Sequence, residues 1–137
     1  MATPVHETAA MIAGMAPVRD PATWHFCTVA DAAGAALHFP EALAIFREAE
    51  GISLVLDAQA AARHGFDTGL PMARITLSMH SALDGVGLTA AVARALAGAG
   101  IPCNMVAAYH HDHAFVPLED ADRAMAVLQD LSQRGAP

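Results

Sequence analysis

Three stretches of this 137-residue sequence carry residue types that could do chemistry. The first is Ser81–Leu88, which reads SALDGVGL. Gly85 and Gly87 permit positive φ and close approach by a ligand, and the first amides of a helix starting there would point outward without partners. Carboxylates and phosphates collect at helix N-termini for that reason. Asp84 would repel an acid, yet its carboxylate could receive an amino acid's ammonium. Asp84, Gly85, Val86, Gly87 and Leu88 are therefore one candidate ligand site. The structural alternative is a plain strand-to-helix turn capped by Asp84 or Gly87, since glycine turns are common without a ligand.

The second is Asn104, whose side-chain amide needs partners if it is buried within its apolar strand. A hydrogen bond to a neighbouring loop would satisfy it equally well. The third is the run Tyr109-His110-His111-Asp112-His113. With His111-Asp112 as a hairpin tip, His110 and His113 would face each other at ~5 Å between Cβ atoms. Such a pair could hold Zn²⁺, Ni²⁺ or Cu²⁺, with His80 or Asp112 as a third ligand. The spacing matches no established metal motif, and a His-rich tip is often only polar surface. No metal is assigned, and His80, His110 and His113 stand as the rival reading of a metal-binding protein or metal-dependent enzyme.

Catalytic machinery is thin. All seven basic residues are Arg, so Schiff-base chemistry, lysine-held pyridoxal phosphate and a P-loop lysine are excluded. No Ser lies in a nucleophile elbow, and neither Cys27 nor Cys103 has an activating partner in sequence. His80 and Ser81 are adjacent strand residues and point to opposite faces. His6, His25, His38 and His64 read as isolated structural or surface residues.

Composition narrows the class further. Apolar residues make up 55% and charged residues 15%, which excludes disorder and implies apolar surface buried between subunits. A net charge of −7 with scattered Arg argues against nucleic-acid binding. The two cysteines fall in separate strand-like runs and read as buried free thiols. Residues 1–17 lack a basic n-region and make a poor signal peptide, and no apolar run approaches the ~18 residues of a spanning helix. The expected location is the cytoplasm, away from membranes.

The elements that must position these residues follow from periodicity. Thr3-Pro4 starts a helix with Met11, Ile12 and Met15 as its stripe, and Pro17 stops it. Trp24–Val29 alternates as a strand and Asp31–Gly34 reads as a turn. Glu41–Glu50 fits a helical stripe, but Leu43–Arg47 and Ile52–Leu56 also read as a hairpin closed at Gly51. Asp57 caps a short helix through His64, ended by Gly65. Phe66–Pro71 is the joint between two halves, 1–70 and 71–137. Arg74–His80 alternates as a half-buried strand, Leu88–Ala99 is helical, and Ile101–His110 and His113–Val116 are strands of a hairpin. Glu119–Gln133 is the last helix, with Ala121, Ala124, Met125, Leu128 and Leu131 inward.

From Arg74–His80 through SALDGVGLTAAVARALAGAGIPCN to AAYHHDHAFVP, and upstream in FREAEGISLVL, the chain resembles the small bacterial ACT-like proteins, built of tandem ACT-type halves. The resemblance covers roughly Trp24 to Leu128, and GVGLTAAV and HDHAFVP are its most specific parts. It implies an α+β, ferredoxin-like βαββαβ fold, with the two halves sharing a core and Glu41–Glu50 in a strand. It places the ligand loop at Asp84–Leu88, with Asn104 beside it. It further implies a regulatory module without catalysis or cofactor, paired as a homodimer, binding an amino acid at a module or subunit interface. A ligand-free oligomerisation module is the remaining alternative.

Overall fold

The computed structural model describes residues 8–78 and 85–134. The chain forms two compact units: Met1–Pro21 with Ala73–Pro137, and Ala22–Met72. One apolar cluster forms in each unit.

In the larger unit the order is α1 (Thr8–Gly14), the start of β1 (Pro17–Val29), β4 (Met72–Leu77), α4 (Leu88–Gly98), β5 (Asn104–Ala107), β6 (Asp112–Pro117) and α5 (Ala121–Arg134). Its strands are ordered β1-β4-β6-β5, the ferredoxin-like arrangement for a βαββα chain plus one further strand. That further strand comes from the N-terminus, which explains why α1 belongs here. Met11, Ile12 and Met15 of the predicted stripe are at most 1% exposed and join Ile75, Leu77, Val92, Leu96, Val116 and Leu128. Burying side chains of this kind stabilises by about 1.5–3 kcal/mol each.

Alternation fixes which face of β4 is covered. Ala73, Ile75 and Leu77 enter the apolar cluster, while Arg74 and Thr76 lie on the opposite face. The α5 helix buries Ala121, Ala124, Leu128 and Leu131, as its spacing predicts, and begins after a short 3-10 turn at Leu118–Asp120. The hairpin is shorter than the sequence suggested. Ala107 pairs with Asp112, and the Ala108 amide donates to His111 O at 3.0 Å, so Tyr109-His110 form the tip in place of His111-Asp112.

The smaller unit contains the rest of β1, then α2 (Ala32–Ala36), β2 (Ala44–Glu48), β3 (Gly51–Asp57) and α3 (Ala58–Arg63). Its strands are ordered β2-β3-β1, antiparallel in both pairs. The ambiguous Glu41–Glu50 segment contains strand β2, as the family resemblance implied. Gly51 pairs with Glu48 to close the hairpin, and at φ +155 it lies so near β1 that a Cβ there would be 2.5 Å from the Val29 carbonyl oxygen. The turn expected at Asp31–Gly34 instead opens a helix, because the Asp31 carboxylate accepts from the Gly34 amide and caps Ala-rich α2. Asp57 caps α3 from the Ala60 amide at 2.8 Å, and Gly65 ends it at φ +76. Cys27, Ile52, Leu54 and Leu56 pack with Ala35, Ala60 and Ala61.

Candidate functional site

The glycine turn is built by the handover from β4 to α4. Asp84 and His80 lie outside the described residues, and Gly85, Val86, Gly87 and Leu88 lead into the helix. Gly87 is the N-cap of α4 at φ +104, ψ −18, a conformation that L-residues rarely adopt. As a glycine it has no side chain of its own to cap the helix, and no side-chain cap bond is made there among the described residues. Leu88 is buried at 4% and anchors the first turn in the apolar cluster, whereas Val86 is 76% exposed and stands outward.

Asn104 is not brought to the turn within one chain. It opens the edge strand β5, exposed, paired with Phe115 on β6, and β6 separates β5 from β4. Thr76, near the exit of β4, bonds His113, two residues before Phe115. Asn104 therefore sits towards the end of the sheet away from the turn, roughly 7 Å further along β6. The 11-residue α4 carries the chain to that end, a rise of about 16 Å.

The histidine run also takes a different arrangement from the one its spacing suggested. Val106, not His110, faces His113 across the hairpin. His110 stacks edge-on with Tyr109 at 5.0 Å in the tip. His113 Nδ1 lies 3.0 Å from Thr76 Oγ1, so that nitrogen already has a partner. Burial first, then the Arg74 and His111 charges, hold the His113 pKa below the usual histidine value. No group of three or more His, Cys, Asp or Glu side chains suited to a metal occurs among the described residues. Burial raises the pKa of both thiols, Cys27 and Cys103, which keeps them protonated and poor nucleophiles.

Two groupings had no signal in the sequence. On the helix-free face of β4, Arg74 binds Asp20 of β1 through Nε at 3.1 Å and Nη2 at 2.7 Å. In the smaller unit, His38 and His64 lie with ring centroids 4.6 Å apart, and Glu41 accepts from both Arg63 and His64. Hydrogen bonds from His64 and then Arg63 lower the Glu41 pKa. The buried His38 Nδ1 has no hydrogen-bond partner among the described residues. Residues 26 apart in sequence meet only because α2 and α3 pack on one strand, β3. The same unit has an open hollow of about 320 Å³ lined by Ala22, Thr23, Asp57, Ala58 and Gln59.

A ferredoxin-like unit with its glycine turn between the first strand and first helix, preceded in sequence by a second strand-rich half, defines the α+β class of ACT-type proteins. ACT domain profiles match residues 72–130 and 3–73, and the chain belongs to the ACT domain family as a tandem ACT protein. A Vibrio cholerae protein of unknown function, described as a possible transport protein, is 40% identical over 88% of this chain and 92% of its own, with a TM-score of 0.79. The ligand-free regulatory subunit of aspartate kinase from Thermus thermophilus has the same fold at 13% identity, covering 86% of this chain and 97% of its own, with a TM-score of 0.65. E. coli aspartokinase III, in complex with aspartate and ADP, shares the fold at 16% identity over 83% of this chain and 32% of its own, with a TM-score of 0.56. No curated protein sequence matches the chain. ACT domains are typically regulatory modules that bind small molecules. No helix among the described residues is long and apolar enough to cross a membrane.

Proposed function

We propose that this protein is a regulatory module that binds an amino acid at the turn Asp84–Leu88 and catalyses no reaction of its own. The observation that carries this reading is the start of α4. An 11-residue helix follows the first strand of an ACT domain and begins at a glycine, with no side-chain cap bond among the described residues. Its leading amides suit a carboxylate, and Asp84 is assigned to the ammonium. The regulatory role follows the family, and the aspartate kinase regulatory subunits share its fold at low identity.

Asn104 is assigned to the same ligand from a second copy of the chain. It lies on an edge strand, at the end of the sheet away from its own turn. Antiparallel pairing of two β5 edges would bring the start of one strand beside the end of the other. The homodimer is thus part of the reading, and sedimentation at micromolar concentration should give twice the monomer mass.

Thermal shift with each of the twenty amino acids tests the proposal. At least one should raise the melting temperature with the logarithm of its concentration, by the equivalent of about 2.7 kcal/mol at a hundredfold excess over its Kd. No response to any of them would overturn it.

A further inference from the structure

The space that Gly87 leaves free is already occupied by the chain itself. A Cβ at Gly87 would lie 2.7 Å from Thr8 Cγ2 and 3.1 Å from Thr8 Oγ1, the first residue of α1. The Thr8 hydroxyl also donates to the Val86 carbonyl. At the other end of α1, the Ser78 amide donates to Met15 O at 2.7 Å, and the Ser78 hydroxyl donates to Ala16 O at 2.8 Å. Ser78 is the last residue before the stretch that leads to the turn. A seven-residue helix therefore grips the strand-to-helix connection at both its entry and its exit.

The grip is firm. Met11, Ile12 and Met15 are buried with Leu88 in one cluster, and Ser132 of α5 donates to Ala13 O at 3.0 Å. An apolar anchorage of three such side chains does not release for a weak ligand. Movement confined to the Thr8 side chain is the easier adjustment, because a rotamer change costs far less than unpacking a helix.

We propose that Thr8 is an internal competitor at the glycine turn, its hydroxyl and methyl filling the space over Val86–Gly87 that a bound amino acid would use. This inference rests on the amino-acid reading above and adds a regulator of that site. The Val86 carbonyl is tied to Thr8, so it can join Asp84 in receiving a ligand's ammonium only once the hydroxyl turns away. Binding then trades one hydrogen bond for another, which weakens the affinity for a small zwitterion by up to about tenfold.

The test uses the full chain with Thr8→Ala, Thr8→Val and Thr8→Ser. Alanine keeps the Cβ, at an ordinary 3.6 Å from the position of a Cβ at 87, and removes both close atoms. The first arm needs no ligand. Gly87→Ala is made in the wild type and in Thr8→Ala, and denaturation midpoints are compared. The loss of midpoint should be smaller in the Thr8→Ala background, and equal losses would overturn the contact and with it the proposal.

The second arm titrates glycine and the other nineteen amino acids by calorimetry. Thr8→Ala should bind about tenfold more tightly than the wild type, or bind where the wild type shows no heat. Thr8→Val should gain less, because it keeps the bulk and loses only the hydroxyl. Equal affinity in wild type and Thr8→Ala would overturn the proposal and leave the amino-acid reading standing. No binding to either protein would overturn both.

Discussion

Thr76 Oγ1 lies 3.0 Å from His113 Nδ1, joining β4 to β6 on the face of the sheet opposite the α4 and α5 helices. The sequence placed His113 in a metal-capable cluster. Its actual environment is a hydrogen-bonded, half-buried position near the Arg74 cation, and that environment opposes a second proton.

Stability should therefore fall on acidification. The folded pKa of His113 is lowered, so between the unfolded value near 6.5 and the folded value the unfolded chain binds more protons. His113 contributes fully above pH 6.5, and the contribution is lost as pH falls through that window. Urea denaturation from pH 7.5 to 5 should give a steeper decline for the wild type than for His113→Gln, which keeps a hydrogen-bonding side chain but does not titrate.

Asp20 and Arg74 form a half-buried pair, with side chains 15% and 22% exposed. An exposed pair contributes up to about 1 kcal/mol and breaking a buried one costs about 3–5. Asp20→Asn should fall between, at about 2 kcal/mol, with little relief from added salt. Chemical denaturation at low and at 0.5 M salt checks both parts.

Two glycines separate backbone strain from collision. Gly65, at φ +76, has nothing within 4 Å of a Cβ, so Gly65→Ala should cost only the left-handed penalty of about 1–2 kcal/mol. Gly51, at φ +155, would set its Cβ 2.5 Å from the Val29 carbonyl oxygen, and backbone paired across β1 and β3 has no easy way to yield. Gly51→Ala should cost about 3 kcal/mol or more. Denaturation midpoints of the two variants decide it.

What the sequence conveyed was mostly local. The alternation of Arg74–Leu77, the Leu88–Leu96 stripe and the caps at Asp57 and Gly65 are each set by residues within a turn or two, and each appears as an element. Asp31 misled because an Asx residue opens a turn and a helix alike, and only the Ala-rich stretch after it distinguishes the two. The hairpin tip slipped by two residues because Ala107 and Ala108 carry no pattern that marks the end of a strand.

The long-range facts had no such signal. Met11, Ile12 and Met15 announced a buried face for α1, but nothing in them named α5 and α4 as the surface it covers. Hence Gly87 read as an opening for a ligand, whereas Thr8, 79 residues earlier by number, already sits against it. Asp20 with Arg74, and His38 with His64, were equally silent, since their meetings depend on strand order.

Amide NMR of the full chain during titration with the twenty amino acids is the sharpest test of ligand binding at the glycine turn. Saturable shifts concentrated on Gly85, Val86, Gly87 and Leu88 are expected for at least one of them. Shifts confined to the hollow at Thr23, Asp57 and Gln59, or no shifts with any amino acid, would contradict it.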